Sequence, residues 1–278
     1  MKTLYDIKYV AFLDILGFSK YVSDEDNVDK VDNLFKFANR FCFLFNSSPE
    51  LNVYASFFSD SIVLYSDDLG MILTAIYIAE GYVKKELGLL FRGGICKGKI
   101  CFSEGMIFGP ALIDAYELEK NAGYSRILFD SSATVDFSGN DIVAFTDYDG
   151  RICYNNYSMC IHSVSIFAPD GVHYPEGNPE NLMIESFANE KLKLIQTIEK
   201  YARTSVAEKY IWRIRAFNYT CRFLHDRPET IEMFGKLHHV ISDEFRNSIM
   251  ECQINEAELI DMVSESRKVL GSASIEDA

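Results

Sequence analysis

The chain has 278 residues, of which 48% are hydrophobic, 14% aromatic and 24% charged, a composition typical of globular proteins and unlike that of disordered or fibrous chains. Its 41 Asp and Glu residues against 27 Lys and Arg residues give a net charge of −14, which argues against nucleic acid and anionic membranes as partners. A protein this acidic needs a local source of positive charge if its substrate is a polyanion.

The first part of the chain alternates between strand and helix patterns. The apolar run Tyr9–Phe18 predicts a buried strand that ends in a glycine turn, and Asp29–Phe45 carries apolar residues at helical spacing. Leu51–Phe58 and Ser61–Tyr65 predict a hairpin, and Asp67–Glu86 predicts a second helix. The chain therefore begins with the order strand, helix, two strands, helix.

The next segment predicts a second pair of strands, Leu89–Cys96 and Lys99–Phe102, that turn at Lys97 and Gly98. Gly109 and Pro110 then open a helix. Further strands are predicted at Arg126–Phe129 and Ile142–Phe145. The order βαββαβ is typical of an α+β, ferredoxin-like fold with helices on one face of an antiparallel sheet.

Beyond residue 165 the composition changes, because Pro and Gly punctuate a loop and helical patterns follow it. We therefore predict one domain at 1–165 and a mainly helical extension at 166–278. Further helices of the extension are predicted at Val206–Leu224, Pro228–Arg246 and Glu256–Leu270.

Two aspartates occupy positions that need an explanation. Asp14 interrupts the apolar run Phe12–Leu16, and Asp60 lies at the tip of the predicted hairpin. Each is ordinary alone, since Asp is common in turns and helix caps. The first strand and the hairpin are neighbours in a βαββαβ sheet, however, and a carboxylate within an apolar strand is costly unless a partner or a cation neutralises it. The two carboxylates are thus predicted to converge.

Four segments in order resemble motifs of the class III nucleotidyl cyclases. Phe12–Ser19 is similar to the family's first metal-binding motif, and Phe58–Ser61 is similar to the hairpin with the second metal-binding Asp. Phe91–Gly98 resembles the family's Arg-x-Gly strand, and Phe108–Glu119 resembles the aromatic-Gly motif that continues into a helix. The resemblance covers roughly residues 8 to 130 and implies a cyclase domain at this end of the chain.

The resemblance also implies the chemistry of the site. Two divalent ions, Mn²⁺ or Mg²⁺, are expected to bind Asp14 and Asp60, with the backbone carbonyl of Ile15 as a further ligand of the second ion. The backbone around Gly17 and Phe18 is expected to contact the phosphates of a nucleoside triphosphate. Sites of this family usually assemble across a homodimer, so a homodimer is expected.

Several residues depart from the purine cyclases of the family. Ser56 replaces the Lys or Glu that reads the base, and Met106 replaces an acidic partner of adenylate cyclases. Ile113 and Glu117 replace the transition-state Asn and Arg. Tyr54 or Ser56 is expected to line the base pocket, where a bulky Tyr54 favours a small ring.

These departures resemble the pyrimidine cyclases of Pycsar antiphage systems. That resemblance implies conversion of UTP, or alternatively CTP, to 3′,5′-cyclic UMP or cyclic CMP. The cyclic nucleotide would be read by a separate effector protein during bacterial antiviral defence. Arg92 is the first candidate to neutralise charge on the phosphorus, although it also suits a plain strand arginine. Lys97, Lys99 and Arg126 are weaker candidates. The rival interpretation is a catalytically silent cyclase-fold module that binds nucleotide or dimerises, which Ile113 and Glu117 favour.

The seven cysteines are scattered and include no Cys-x-x-Cys pair, which is typical of reduced thiols rather than disulfides or a zinc site. The sequence carries no convincing signal peptide or membrane span. A cytoplasmic protein is therefore predicted.

Overall fold

The structure, a computed structural model, describes residues 5–24, 26, 28–103, 106–134, 142–158, 178–226, 231–233, 236–239 and 241–276. The chain divides into two compact units, Met1–Tyr154 and Asn155–Ala278. The domain boundary predicted between residues 165 and 166 lies outside the described residues.

The first unit combines strands and helices. Its strands are β1 (Asp6–Leu16), β2 (Val53–Phe58), β3 (Ser61–Ser66), β4 (Leu90–Ser103), β5 (Met106–Phe108), β6 (Ile127–Phe129), β7 (Ala144–Thr146) and β8 (Ile152–Tyr154). Its α-helices are α1 (Phe18–Val22), α2 (Val28–Ser47), α3 (Leu69–Tyr82), α4 (Pro110–Lys120) and α5 (Ser131–Thr134). A 3₁₀ turn at Pro49–Leu51 precedes β2, and a π-helical turn at Val83–Leu87 follows α3.

The strands form one sheet in the order β2-β3-β1-β4-β6-β8-β7, with β5 paired to β4. The first four strands are antiparallel to their neighbours, and β6 joins β4 in parallel. The order β4-β1-β3-β2 is that of a ferredoxin-like sheet, so the predicted α+β fold class is confirmed. β8, which the sequence analysis missed, extends the sheet beside β6.

Helices cover both faces of this sheet. Phe57 of β2 contacts Phe37 and Phe41 of α2. The thiol of Cys96 in β4 donates a hydrogen bond to the carbonyl of Ala111 in α4. The strand register places Phe57 and Cys96 on opposite faces. The expectation that the helices share one face is therefore wrong for α4. β1 lies between these layers, which explains its nearly continuous apolar run.

The predicted strand pair around Lys97 and Gly98 is also wrong, because β4 runs without a turn from Leu90 to Ser103. Gly98 pairs with Lys8 of β1, and a Cβ at Gly98 would lie 3.2 Å from the Cβ of Ala111. Glycine at this position therefore permits close helix packing rather than a chain reversal.

The free edge of β2 is occupied by a side chain of α2. The amide of Asn46 donates to the carbonyl of Ala55 at 2.9 Å and accepts from its N–H at 2.8 Å. This pair of bonds replaces the missing neighbouring strand, which protects the edge from pairing with another chain.

The second unit is mainly helical. Its elements are α6 (Pro179–Lys200), α7 (Ser205–Asp226), β9 (Ile231–Met233), β10 (Lys236–His239), α8 (Asp243–Glu251) and α9 (Glu256–Glu276). The helix predicted at Pro228–Arg246 is wrong, since β9 and β10 form a two-stranded antiparallel sheet before α8 begins. The mainly helical character predicted for this part is confirmed.

Polar side chains connect the elements of the second unit. Asn218 of α7 donates to the carbonyl of Ile254 and accepts from its N–H, while Glu180 of α6 accepts from the hydroxyl and N–H of Ser242. Trp212 is 1% exposed in the core of this unit. No helix among the described residues is long and apolar enough to cross a membrane.

Candidate active site

Asp14 lies on the central strand of the first unit, close to the strand's carboxyl end. In the register of the sheet it stands opposite Ser61 of β3 and Arg92 of β4. Residues directly opposite each other in antiparallel strands project to the same face, so Asp14 and Arg92 share a face of the sheet. The Asp14 side chain is 18% exposed, which leaves it accessible to small ligands from that face.

Asp60 is brought to Asp14 by a short turn and one backbone hydrogen bond. Ser59 adopts a left-handed conformation, with φ of 56°, which reverses the chain between β2 and β3. The N–H of Ile15 donates to the carbonyl of Asp60 at 2.8 Å and so ties the hairpin tip to the end of β1. The two aspartates predicted to converge are therefore separated by a single strand-to-strand step.

Arg92 connects Asp14 to helix α4. Its Nη2 lies 3.3 Å from Oδ2 of Asp14, and its Nε donates to Oε1 of Glu119. The Arg92 side chain is 32% exposed. The residue is thus neither a free surface arginine nor a fully buried one, and its role in catalysis stays a prediction.

Glu119 is a member of this cluster that the sequence analysis did not identify. Burial raises the pKa of the Glu119 carboxyl, Arg92 opposes that shift, and the negative charges of Asp14 and Asp60 reinforce it. The feature of the sequence that indicates this contact is the pair Gly93 and Gly94 directly after Arg92. A Cβ at Gly94 would lie 2.3 Å from the carbonyl oxygen of Ala115, so only glycine lets the last turns of α4 approach β4 this closely.

The predicted phosphate contacts lie directly after β1. Gly17 has a φ of 85°, a left-handed conformation that suits glycine, and the chain then turns into the short helix α1. The carbonyl of Gly17 accepts a hydrogen bond from the N–H of Tyr21. Gly17 and Phe18 are therefore close in the chain to Asp14, as their predicted role requires.

A cleft of about 430 Å³ lies between α2 and β2. Three of the predicted nucleotide-binding residues line it, namely Phe18, Tyr54 and Ser56, and Ser59 extends its lining to the turn that carries Asp60. Asp14, Arg92 and Gly17 are not among the lining residues. The register of the sheet places the side chains of Tyr54, Ser56 and Asp14 on the face opposite α2, so the cleft does not hold the charged residues.

Tyr54 is held by other aromatic rings. Its ring stacks on Tyr65 with centroids 4.9 Å apart and lies 4.5 Å from the ring of Phe102. Burial and the negative charges that Tyr54 and Asp6 can carry raise the pKa of Tyr65 to about 12. The ring of Tyr54 is thus held in a packed cluster of three aromatic rings.

The residues that replace the purine cyclase pattern do not join the cluster. Ile113 is 63% exposed on α4, Met106 is 59% exposed on β5, and Glu117 lies 4.0 Å from Lys120. None of these side chains is bonded to Asp14, Asp60 or Arg92 in the described contacts. Ile113, Met106 and Glu117 therefore lie apart from the charged cluster.

The oxygen donors of the cluster fit a hard divalent cation. Within the described ranges, no group of three or more His, Cys, Asp or Glu side chains is placed to hold a metal ion. The predicted set is smaller and consists of the carboxylates of Asp14 and Asp60 with the carbonyl of Ile15. Such a set suits Mg²⁺ or Mn²⁺, which keep several waters and take further oxygens from substrate phosphates.

A comparison with protein families finds none that matches the chain, and no curated protein matches it. The solved structures similar to it include three cyclase structures, each over 54% of this chain. The guanylyl cyclase domain of the RhoGC fusion protein from the aquatic fungus Blastocladiella emersonii is 14% identical, with a TM-score of 0.42 and 93% of that chain covered. The catalytic core of a rhodopsin-guanylyl cyclase with converted specificity, in complex with ATPalphaS, is 14% identical, with a TM-score of 0.41 and 94% covered.

The adenylate/guanylate cyclase/hydrolase from Silicibacter pomeroyi is 16% identical, with a TM-score of 0.38 and 95% of that chain covered. Likenesses of this degree carry no argument about what this chain binds or does.

Proposed function

We propose that this chain is a nucleotidyl cyclase of the class III type that acts on a pyrimidine nucleoside triphosphate, UTP in preference to CTP. The observation that carries the proposal is the placement of Asp14 and Asp60 at the ends of adjacent strands, with Arg92 on the same face. The products are 3′,5′-cyclic UMP, or cyclic CMP, and pyrophosphate.

The reaction joins the ribose 3′-oxygen to the α-phosphorus and breaks the bond between that phosphorus and the oxygen that bridges to the β-phosphate. Two Mn²⁺ or Mg²⁺ ions, held by Asp14, Asp60 and the carbonyl of Ile15, would lower the pKa of the 3′-hydroxyl and bind the triphosphate. Pyrophosphate leaves with the electron pair of the broken bond, and the proton of the hydroxyl passes to water.

Arg92 neutralises the charge that develops on the phosphates. Its Nη2 contact to Asp14 is long, at 3.3 Å, and the side chain is one third exposed, so this edge of the guanidinium is open to an incoming oxygen. A guanidinium that is already oriented stabilises transition-state charge without reorganisation. The backbone of Gly17 and Phe18 contacts the remaining phosphate oxygens.

The base is recognised at Tyr54 and Ser56 of β2, whose side chains project on the same face of the sheet as Asp14. The packed ring of Tyr54 limits the space on this face, and the hydroxyl of Ser56 either donates or accepts a hydrogen bond. A pyrimidine has one ring, so it fits a narrower space than a purine. This size argument supports UTP or CTP but does not distinguish them.

A homodimer is supported by exposed apolar side chains around the face that carries Asp14. Phe58 of β2 is 80% exposed and, through its pairing with Ser61, projects on the same face as Asp14. Ile113 and Met106 are also largely exposed. Apolar surface of this kind is typical of an interface, and we propose that a second copy of the chain covers it.

The cellular role we propose, a second messenger read by a separate effector in bacterial antiviral defence, rests on the resemblance of the four motifs. Six cysteines among the described residues are free thiols, which supports a location in the cytoplasm. The proposed partners are the nucleoside triphosphate and a second copy of the chain, and neither nucleic acid nor a membrane.

The experiment is to incubate the purified protein with each of the four ribonucleoside triphosphates and Mn²⁺ and to identify cyclic products by mass spectrometry. Cyclic UMP as the main product is expected. Cyclic AMP or cyclic GMP as the main product overturns the pyrimidine assignment. The second candidate, a silent nucleotide-binding module, is favoured by Ile113 and Glu117 and predicts no cyclic product from any triphosphate.

A further inference from the structure

The two carboxylate partners of Arg92 differ in their surroundings. Glu119 is 5% exposed at its side chain and accepts from Nε, whereas Asp14 is 18% exposed and lies 3.3 Å from Nη2. The short contact is thus the buried one, and the long contact is the accessible one. One edge of the guanidinium is fixed by helix α4, while the other edge faces the predicted metal ligands.

We propose that Glu119 is a positioning residue that fixes the guanidinium of Arg92 beside Asp14, so that Arg92 can exchange Asp14 for a substrate phosphate without losing its place. The substrate in this statement rests on the proposed function. The anchoring of Arg92 by Glu119 rests on the two ion pairs alone.

The charges explain why an anchor is needed. Asp14, Asp60 and Glu119 carry three negative charges against the single positive charge of Arg92, so the cluster has a formal charge of −3 + 1 = −2. An arginine with Asp14 as its one partner would compete with a divalent cation for that carboxylate. Glu119 draws the guanidinium toward α4 and leaves Asp14 available to the cation. The anchor also limits the rotamers of a long side chain, whose ordering otherwise costs entropy.

Helix α4 supplies a matched control for this effect. Glu117 lies on the same helix, two residues earlier, but its side chain is 53% exposed and faces Lys120. Neutralising Glu117 removes the same charge from the same helix without touching Arg92. Any effect of Glu119→Gln beyond that of Glu117→Gln therefore belongs to the contact with Arg92.

The test uses the full chain with Glu119→Gln and Glu117→Gln, each made in the wild-type and in the Arg92→Ala background. Mn²⁺ affinity without nucleotide is measured by electron paramagnetic resonance, and kcat and KM are measured with the triphosphate that gives the most product. Glu119→Gln is expected to weaken Mn²⁺ binding about tenfold, as for other residues that orient metal ligands. It is expected to lower kcat by about tenfold to a hundredfold while KM changes little.

Glu117→Gln is expected to change neither quantity, and Glu119→Gln is expected to have no further effect in the Arg92→Ala background. Equal effects of the two glutamine variants, or an undiminished effect of Glu119→Gln without Arg92, overturn the proposal. If Glu119→Gln does not fold, Glu119→Asp replaces it, and a wild-type kcat and Mn²⁺ affinity then overturn the proposal. A wild type that makes no cyclic product contradicts the proposed function instead, and the Mn²⁺ titration then decides the role of Glu119.

Discussion

Two arginines of the first unit form ion-pair clusters of opposite character. Arg126 is 4% exposed, and its donors reach the carbonyl of Ala122 and the carboxylates of Asp147 and Asp149, each at 2.6 Å. Arg92 is 32% exposed and keeps one long contact at 3.3 Å to Asp14. The first guanidinium is saturated by close partners, whereas the second has an edge open to a ligand.

The difference separates a structural arginine from a candidate functional one, although both were candidates from the sequence. A saturated and buried guanidinium cannot bind phosphate without breaking its own pairs, which is costly. Arg126 therefore joins β6 to the turn before β8. Arg92 is held closely by Glu119 and only weakly by Asp14, and the proposed reaction requires that Asp14 be exchanged for a phosphate.

The largest expected effect is the loss of activity on removal of either aspartate of the cluster. Asp14→Ala and Asp60→Ala should reduce cyclic product to the level of the metal-free protein, because each removes a predicted ligand of both ions. Product formation is measured with Mn²⁺ present, and size-exclusion chromatography checks the fold and the dimer. Asp67→Ala is the control, since Asp67 is 54% exposed and paired with Lys8. A fully active variant at position 14 or 60 contradicts the metal roles.

Replacing each arginine should affect a different property: the rate for Arg92 and the stability for Arg126. Arg92→Ala is expected to lower the rate by about a hundredfold to a thousandfold, as for removal of a preorganised donor. It should lower the free energy of unfolding by less than Arg126→Ala does, because Arg92 is one third exposed, although Glu119 then loses its cation. Arg126→Ala is expected to lower that free energy by about 3 kcal/mol, since it leaves Asp147 buried without its cation. Urea unfolding and initial rates measure the two quantities. The comparison fails if Arg126→Ala folds normally, or if Arg92→Ala keeps the wild-type rate.

The next largest effect is expected from substitutions where α4 packs closely against β4. Gly94→Ala places a Cβ 2.3 Å from a backbone oxygen of α4, whereas Gly98→Ala places it 3.2 Å from the Cβ of Ala111. We expect Gly94→Ala to cost about 1–3 kcal/mol and to lower activity, because the helix that carries Glu119 must shift. Gly98→Ala should cost less and leave more of the activity. The reverse ranking in urea unfolding and rate measurements contradicts this account of the glycines.

The smallest effect concerns the stability that the ion pair of Arg126 with Asp149 contributes in acid. The hydrogen bond from Arg126 is the main cause that lowers the pKa of Asp149. A lowered pKa stabilises the fold above the ordinary pKa of an aspartate, and that contribution is lost as the pH falls through the folded value. In Asp149→Asn the free energy of unfolding should therefore fall less steeply as the pH is lowered. The difference should be less than about 1 kcal/mol, since Asp149 is 42% exposed. An unchanged curve contradicts the contribution of this pair.

The sequence predicts the parts of the site that depend on chain order. The apolar run around Asp14 and the turn at Asp60 are local patterns, and the βαββαβ order brings them together. The pattern misleads at Gly98, because a glycine that admits a helix and a glycine that makes a turn look alike in a sequence. The helix predicted at Pro228–Arg246 fails because strands of three and four residues are too short to show a period.

Glu119 was hidden from the sequence for a different reason. It lies among other charged residues at the end of a helix, where an acidic side chain is ordinarily solvated. Its burial depends on α4 packing on the face of the sheet that carries Asp14, and this choice of face is a tertiary property. The two glycines after Arg92 were visible, but their meaning depends on which helix approaches them.

The central claim is that the face carrying Asp14, Asp60 and Arg92 cyclises a pyrimidine nucleoside triphosphate. The most direct measurement quantifies cyclic UMP and pyrophosphate formed from UTP and Mn²⁺ by the wild type and by Asp14→Ala. The account predicts equal amounts of the two products from the wild type and neither from the variant. Pyrophosphate without cyclic UMP, or the same yield from both proteins, contradicts it.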